Sequence, residues 1–173
     1  MNMENVVLVN QLDEPIGIME KMEAHRKGLL HRAFSIFIFN TKGELLLQQR
    51  ALSKYHSGGL WTNACCSHPR PDEELTLAAK RRLKEEIGLD CTLTHSFSFI
   101  YRIDFANGLT EHEYDHVFTG VCDDEPVIDK DEAMDWKYQY PDELSADLKL
   151  NPDKYTQWFR LAADKVMNEF KSR

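Results

Sequence analysis

The chain has 173 residues, 42% of them hydrophobic, enough to bury one sizeable core and to form one domain over residues 1–173. Its 21 basic and 29 acidic residues leave a net charge of -8, and no basic tract is present to follow a nucleic acid or an anionic membrane. No stretch nears the roughly 18 apolar residues of a membrane span, and the start lacks a basic leader followed by an apolar run, so a cytoplasmic protein is expected.

In chain order, NVVLVN (5–10) reads as a first strand, and AFSIFIFNTKGELLLQQR reads as a hairpin turning at Asn40-Thr41-Lys42-Gly43. The polar stretch ALSKYHSGGLWTNACCSHPRP then reads as irregular backbone. In DEELTLAAKRRLKEEIGL, Leu75, Ala79, Leu83 and Ile87 recur every four residues and Gly88 is placed to end the run, which predicts an amphipathic helix. LTHSFSFIYRIDF and LTEHEYDHVFTGVC flank Asn107-Gly108 and predict a second, longer hairpin. Pro141-Asp142 opens a short helix. Asn151-Pro152-Asp153 starts a last one, with an apolar stripe of Tyr155, Trp158, Phe159, Ala162, Val166 and Phe170. The sum is an α+β chain, an α/β sandwich built on a mixed sheet flanked by helices.

Strand alternation places Glu111, Glu113 and Asp115 on one face of TEHEYDHV and His112, Tyr114 and His116 on the other. Three carboxylates in a row repel unless a cation or water screens them, so that face is either a metal site or solvated. His25, His31 and His68 could complete a site, and imidazole with carboxylate suits zinc, manganese or iron better than magnesium. Lys21, Arg50, Lys54, Arg81 and Arg82 supply the local basic cluster that an anionic ligand of an acidic protein would need. Arg82 and Glu86, four apart on a helix, read on spacing alone as an exposed ion pair rather than as ligand contacts. The neighbours Cys65 and Cys66 are poorly placed for a mutual disulfide, and four cysteines in all are too few for a secreted disulfide scaffold. Cys66, nearer to His68 in a polar loop, has the setting of a reactive thiol.

At LHRAFS (30–35), RALSK (50–54), TNACCSHP (62–69) and TEHEYDHV (110–117), in that order, the chain closely resembles the type 1 isopentenyl-diphosphate isomerases. That resemblance implies a Nudix-like fold. The Nudix box, G-x5-E-x7-R-E-U-x-E-E-x-G-U, is met by Glu73, Arg81, Leu83, Glu85, Glu86, Gly88 and Leu89. Ser67 stands in place of its first glycine and Arg82 in place of the glutamate after arginine. Both departures count against the alternative, a Nudix hydrolase of a diphosphate substrate.

The resemblance further implies a divalent-metal site of His25, His31, His68, Glu111 and Glu113, holding manganese, zinc or magnesium. It implies Lys21, Arg50, Lys54 and Arg82 as contacts to the diphosphate of a prenyl substrate, with Glu86 on a magnesium ion that bridges its oxygens. Cys66 and Glu113 would exchange protons with opposite faces of the allylic unit, Tyr101 would support the glutamate, and Trp158 would cover the pocket. No redox cofactor is needed, and a monomer is expected. Trp61 and Cys65 are expected as further pocket walls.

Overall fold

The computed structural model describes residues 4–172. Its centre is β3 (His31–Phe39), whose run of apolar residues is buried on both faces, as a strand with helices on either side requires. Along one edge β3 runs parallel to β8 (Thr110–Val121), in register from His31 beside Glu113 to Phe39 beside Val121. Along the other it pairs antiparallel with the three-residue β6 (Cys65–Ser67) and meets β1 (Asn5–Val9) at a single pair, His31 with Leu8. β8 continues the sheet through the predicted long hairpin to β7 (Leu93–Asp104).

The first predicted hairpin forms differently. The turn at Asn40–Gly43 is present, but β3 and β4 (Leu45–Arg50) share only the pair Phe39 with Leu45. Beyond it they part: β6 occupies the edge of β3, while β4 pairs with β9 (Ala133–Gln139) and β5 (Trp61–Thr62). The stretch read as irregular thus contributes two short strands, β5 and β6. Three further elements escaped the sequence reading: β9 itself, the exposed edge strand β2 (Pro15–Glu20), paired with β1, and the short helix α1 (Lys21–Lys27). The Glu20 carboxylate accepts from the backbone N–H groups of Met22 and Glu23 to start α1, and Gly28 ends it at a φ of 61°.

Helices cover both faces. α2 (Leu75–Ile87) packs Ala78, Ala79, Leu83 and Ile87 on Phe34, Ile36 and Ile38. On the opposite face lie α3 (Pro141–Leu150) and α4 (Gln157–Lys171), and there Trp158, Phe159, Ala162 and Val166 pack on Phe37, Phe39, Leu45 and Val117. The predicted stripe is the buried one, although Pro152–Lys154 form a separate 3-10 turn and α4 begins only at Gln157. The register of β8 puts Glu111, Glu113 and Asp115 on the α4 side, all buried, so this acidic face is not a solvated one.

Gly88 ends α2 at a φ of 71°, and an added Cβ would lie 3.0 Å from both the Cβ and the carbonyl oxygen of Val127. Gly88→Ala is therefore expected to cost about 1–2 kcal/mol, the penalty of a left-handed conformation for a residue with a side chain. Urea denaturation would read it, and an unchanged midpoint would mean that this turn relaxes freely.

Candidate functional site

Four buried side chains from separate elements converge at one end of the sheet. His25 comes from α1, His31 opens β3, His68 follows β6, and Glu113 lies on β8 in register with His31. One ligand atom from each lies within 4.8 Å of the others. The Nδ1 atoms of His25 and His31 stand 2.7 Å and 2.8 Å from the carbonyl oxygens of Lys21 and Leu29. A carbonyl only accepts, so each Nδ1 carries the hydrogen and each Nε2 turns a lone pair inward. Both Nε2 atoms are buried without a hydrogen-bond partner among the described residues, an arrangement a cation would satisfy. Three imidazoles and a carboxylate make a donor set for a divalent ion of the transition series.

The electrostatics match. Burial pushes His68 down to about 4 and also lowers His25, which keeps both rings neutral. Burial would raise the Glu113 carboxyl, but its contacts with the His31 and His68 rings outweigh it and hold that carboxyl well below the usual carboxylate range, while Glu113 in turn raises His31 against the effect of burial. The two oxygens of Glu113 divide their contacts. Oε1 lies 3.1 Å from His68 Nε2 and 3.5 Å from His31 Nε2, while Oε2 accepts from the Tyr101 hydroxyl at 2.6 Å.

Glu111 stands outside this group of four. Its Oε1 lies 2.9 Å from His56 Nε2 and its Oε2 accepts from Tyr101 at 3.2 Å. His56 is buried, and its ring stacks on Phe105 with centroids 4.2 Å apart. Burial, then the Glu113 charge, raises the Glu111 carboxyl well above its ordinary value. Nothing in the sequence pattern marked His56, a single histidine in a polar loop.

A cavity of about 550 Å³ opens above the cluster. Cys66, His68, Tyr101, Glu111, Glu113 and Trp158 line its inner part. Alternation along β6 turns Cys66 toward it and Cys65 to the opposite side, into the core under α2. Cys65 is thus a core residue rather than a wall. Trp61 does not line the cavity either; it packs at the α4 core with Lys137 Nζ 4.5 Å over its ring. The Cys66 Sγ lies 3.1 Å from Asn63 Oδ1 and 3.5 Å from Ser35 Oγ. Burial, then the nearby Asp115 carboxyl, pushes this thiol up, so it keeps its proton at neutral pH.

The outer part of the cavity is basic, lined by Lys21, Arg50, Lys54, Arg70, Arg81 and Arg82. Arg50 lies 5.1 Å over the Trp158 ring. Lys21 pairs with Glu4 at 2.8 Å, and Lys54 pairs with Glu132. Arg82 reaches Glu86 at 2.6 Å and Glu132 at 3.1 Å, and its Nε donates to Ser67. Glu86 is only 3% exposed, so the Arg82–Glu86 pair is not the exposed surface pair that helix spacing also allowed. Burial raises the Glu86 carboxyl, with Arg82 acting against that. Glu132, which bridges Lys54 and Arg82, went unnoticed in the sequence because it lies in a loop 50 residues from Arg82.

Comparison with known proteins bears on this geometry. The NUDIX domain model matches residues 29–159, a span that excludes Lys21 and His25 on α1. An isopentenyl-diphosphate Delta-isomerase 2 of Aromatoleum aromaticum is 52% identical over 165 residues, 95% of this chain and 87% of that protein. An isopentenyl-diphosphate Delta-isomerase 2 of Photorhabdus laumondii is 55% identical over 157 residues, 91% of this chain and 89% of that one. A crystal structure from Deinococcus radiodurans superposes with a TM-score of 0.79 at 19% identity, covering 94% of this chain and 98% of that one. The MutT protein of Methanosarcina mazei gives 0.66 at 17% identity over 83% and 96%. At such identities the structural likeness concerns the fold alone.

Proposed function

Because the chain belongs to the isopentenyl-diphosphate Delta-isomerases within the NUDIX fold, we infer that it is an enzyme that interconverts isopentenyl and dimethylallyl diphosphate. The observation that carries the site assignment is a single cavity holding a protonated thiol, a carboxylate backed by a tyrosine and, further out, a ring of cations. A simple alkene is barely basic, so its protonation needs a positioned acid and a site closed to bulk water. Cys66 and Glu113 exchange protons with the allylic unit. One adds a proton to the terminal carbon to give a tertiary cation, and the other removes a proton from the carbon on the far side, which restores the double bond in its new place.

Tyr101 orients the Glu113 oxygen that faces the hydrocarbon, and Trp158 covers the cation with its ring. Lys21, Arg50, Lys54 and Arg82 hold the diphosphate, with magnesium at Glu86. His25, His31, His68 and Glu113 would hold one divalent ion, for which imidazole donors favour manganese or zinc over magnesium, and Glu111 would join them as a fifth ligand on leaving His56. Such an ion would supply a fixed positive charge that keeps Glu113 ionised and in place. The chain, 1–173, works as one unit and as a monomer. The free thiols of Cys65, Cys66, Cys91 and Cys122 fit a reducing cytoplasm, and no helix among the described residues is long and apolar enough to cross a membrane.

The structural neighbours include hydrolases, but Arg82 fills the position of a Nudix-box glutamate, which leaves the helix one carboxylate short of the set that an ordinary Nudix hydrolase uses to hold several magnesium ions. Isopentenyl diphosphate incubated with the protein in heavy water is expected to become dimethylallyl diphosphate that carries solvent deuterium. Phosphate release without dimethylallyl product would make the protein a hydrolase.

A further inference from the structure

Behind the Cys66 thiol runs a buried chain of hydrogen bonds whose donors and acceptors can be fixed in sequence. Asn63 is fully buried, and its Nδ2 donates to the carbonyl oxygens of Ile36 at 3.0 Å and Cys65 at 2.9 Å. Flipping the amide would set its oxygen against both carbonyls, so Oδ1 must face the other way, toward Cys66 and Thr62. Two donors meet there: the Thr62 hydroxyl at 3.0 Å and the Cys66 thiol at 3.1 Å. With its proton committed to Asn63, Thr62 accepts in turn from the Thr156 hydroxyl at 3.0 Å. Thr62 and Thr156 are also fully buried.

Thr156 immediately precedes α4, and its side chain makes no cap hydrogen bond to that helix. Its hydroxyl is spent on Thr62 instead, and its backbone N–H donates to the Trp61 carbonyl oxygen at 3.0 Å. Two residues on, Trp158 lines the cavity. The other candidate acceptor for the thiol, Ser35, is farther away at 3.5 Å and gives its own proton to Asp115 at 2.7 Å.

We propose that Asn63 is a positioning residue for the Cys66 proton: its Oδ1 sets the direction of the S–H bond, and the Thr156 and Thr62 hydroxyls tie that oxygen to the start of α4. The seat of the helix that carries the covering tryptophan and the aim of the proton are then one connected unit. This rests on the reading of Cys66 as a proton-exchanging group.

The S–H stretching band of the metal-loaded, full-length protein tests it, with Cys66→Ser used to identify which band belongs to Cys66. Thr62→Val leaves Asn63 Oδ1 to accept from the thiol alone, so the S–H bond weakens and the band should move to lower wavenumber. Asn63→Leu removes the acceptor and should move the band to higher wavenumber. In that variant kcat should fall about tenfold to a hundredfold, the scale of a misaimed reacting group, while KM stays within a factor of about three because uniform binding is untouched. If Asn63→Leu does not fold, the Thr62→Val band decides alone. A band unmoved in the folded variants, or a moved band with unchanged kcat in Asn63→Leu, overturns the proposal. The reading of the thiol itself stands or falls separately, on whether Cys66→Ala loses conversion.

Discussion

Cys66→Ala is expected to lower conversion of isopentenyl diphosphate by at least about a hundredfold, the scale seen when a positioned acid or base is removed, whereas Cys65→Ala should turn over almost normally. The two thiols are adjacent in sequence, yet alternation along β6 sends them to opposite faces of the sheet. Cys66 meets the cavity, Asn63 and Ser35. Cys65 meets the aliphatic core under α2, where loss of its sulfur should cost stability on the order of 1 kcal/mol, typical of a core truncation, and leave the chemistry alone. Because burial keeps the Cys66 thiol protonated, activity should not fall as pH rises through the range in which an ordinary thiol ionises. Turnover in heavy water and urea melts on the same preparations separate the two effects. An active Cys66→Ala beside a dead Cys65→Ala would reverse the assignment.

The difference between those cysteines shows where sequence reasoning stops. Periodicity found α2, the stripe on α4 and the face shared by Glu111, Glu113 and Asp115, since each is a local repeat that burial enforces. β6 is three residues long, too short for any pattern, and it is a strand only because the edge of β3 is free to receive it. The same long-range choice explains the first hairpin: its turn is written locally, but what β4 pairs with is settled by β9, more than 80 residues away. Short α1 and the exposed β2 likewise lack an apolar period to find. At the site, the residues with a charge or a ligating atom inside a motif were legible, while Asn63, though it lies in TNACCSHP, and the single polar residues His56 and Glu132 gain importance only from what the fold brings beside them.

Metal content should respond to His31→Ala more than to any change at His56. His31 is fully buried, with its Nδ1 committed to a carbonyl and its Nε2 turned to the other three members of the cluster. The purified protein should carry about one tightly held divalent ion, since mixed imidazole and carboxylate donors favour such binding. Supporting residues around a metal typically change affinity by about 10–100-fold, so removal of a direct ligand should exceed that range and activity should fall with occupancy. Glu111 is the informative contrast. If it leaves His56 to become a fifth ligand, Glu111→Gln should lower affinity nearly as far as His31→Ala, and His56→Phe, which keeps the stacking on Phe105 but frees the carboxylate, should raise it. If Glu111 stays with His56 and Tyr101, Glu111→Gln should leave metal content close to normal, and the ion is held by His25, His31, His68 and Glu113 alone. Metal analysis after dialysis against a graded series of chelator concentrations reads all three variants on one scale, and full occupancy in His31→Ala would remove the cluster as a metal site.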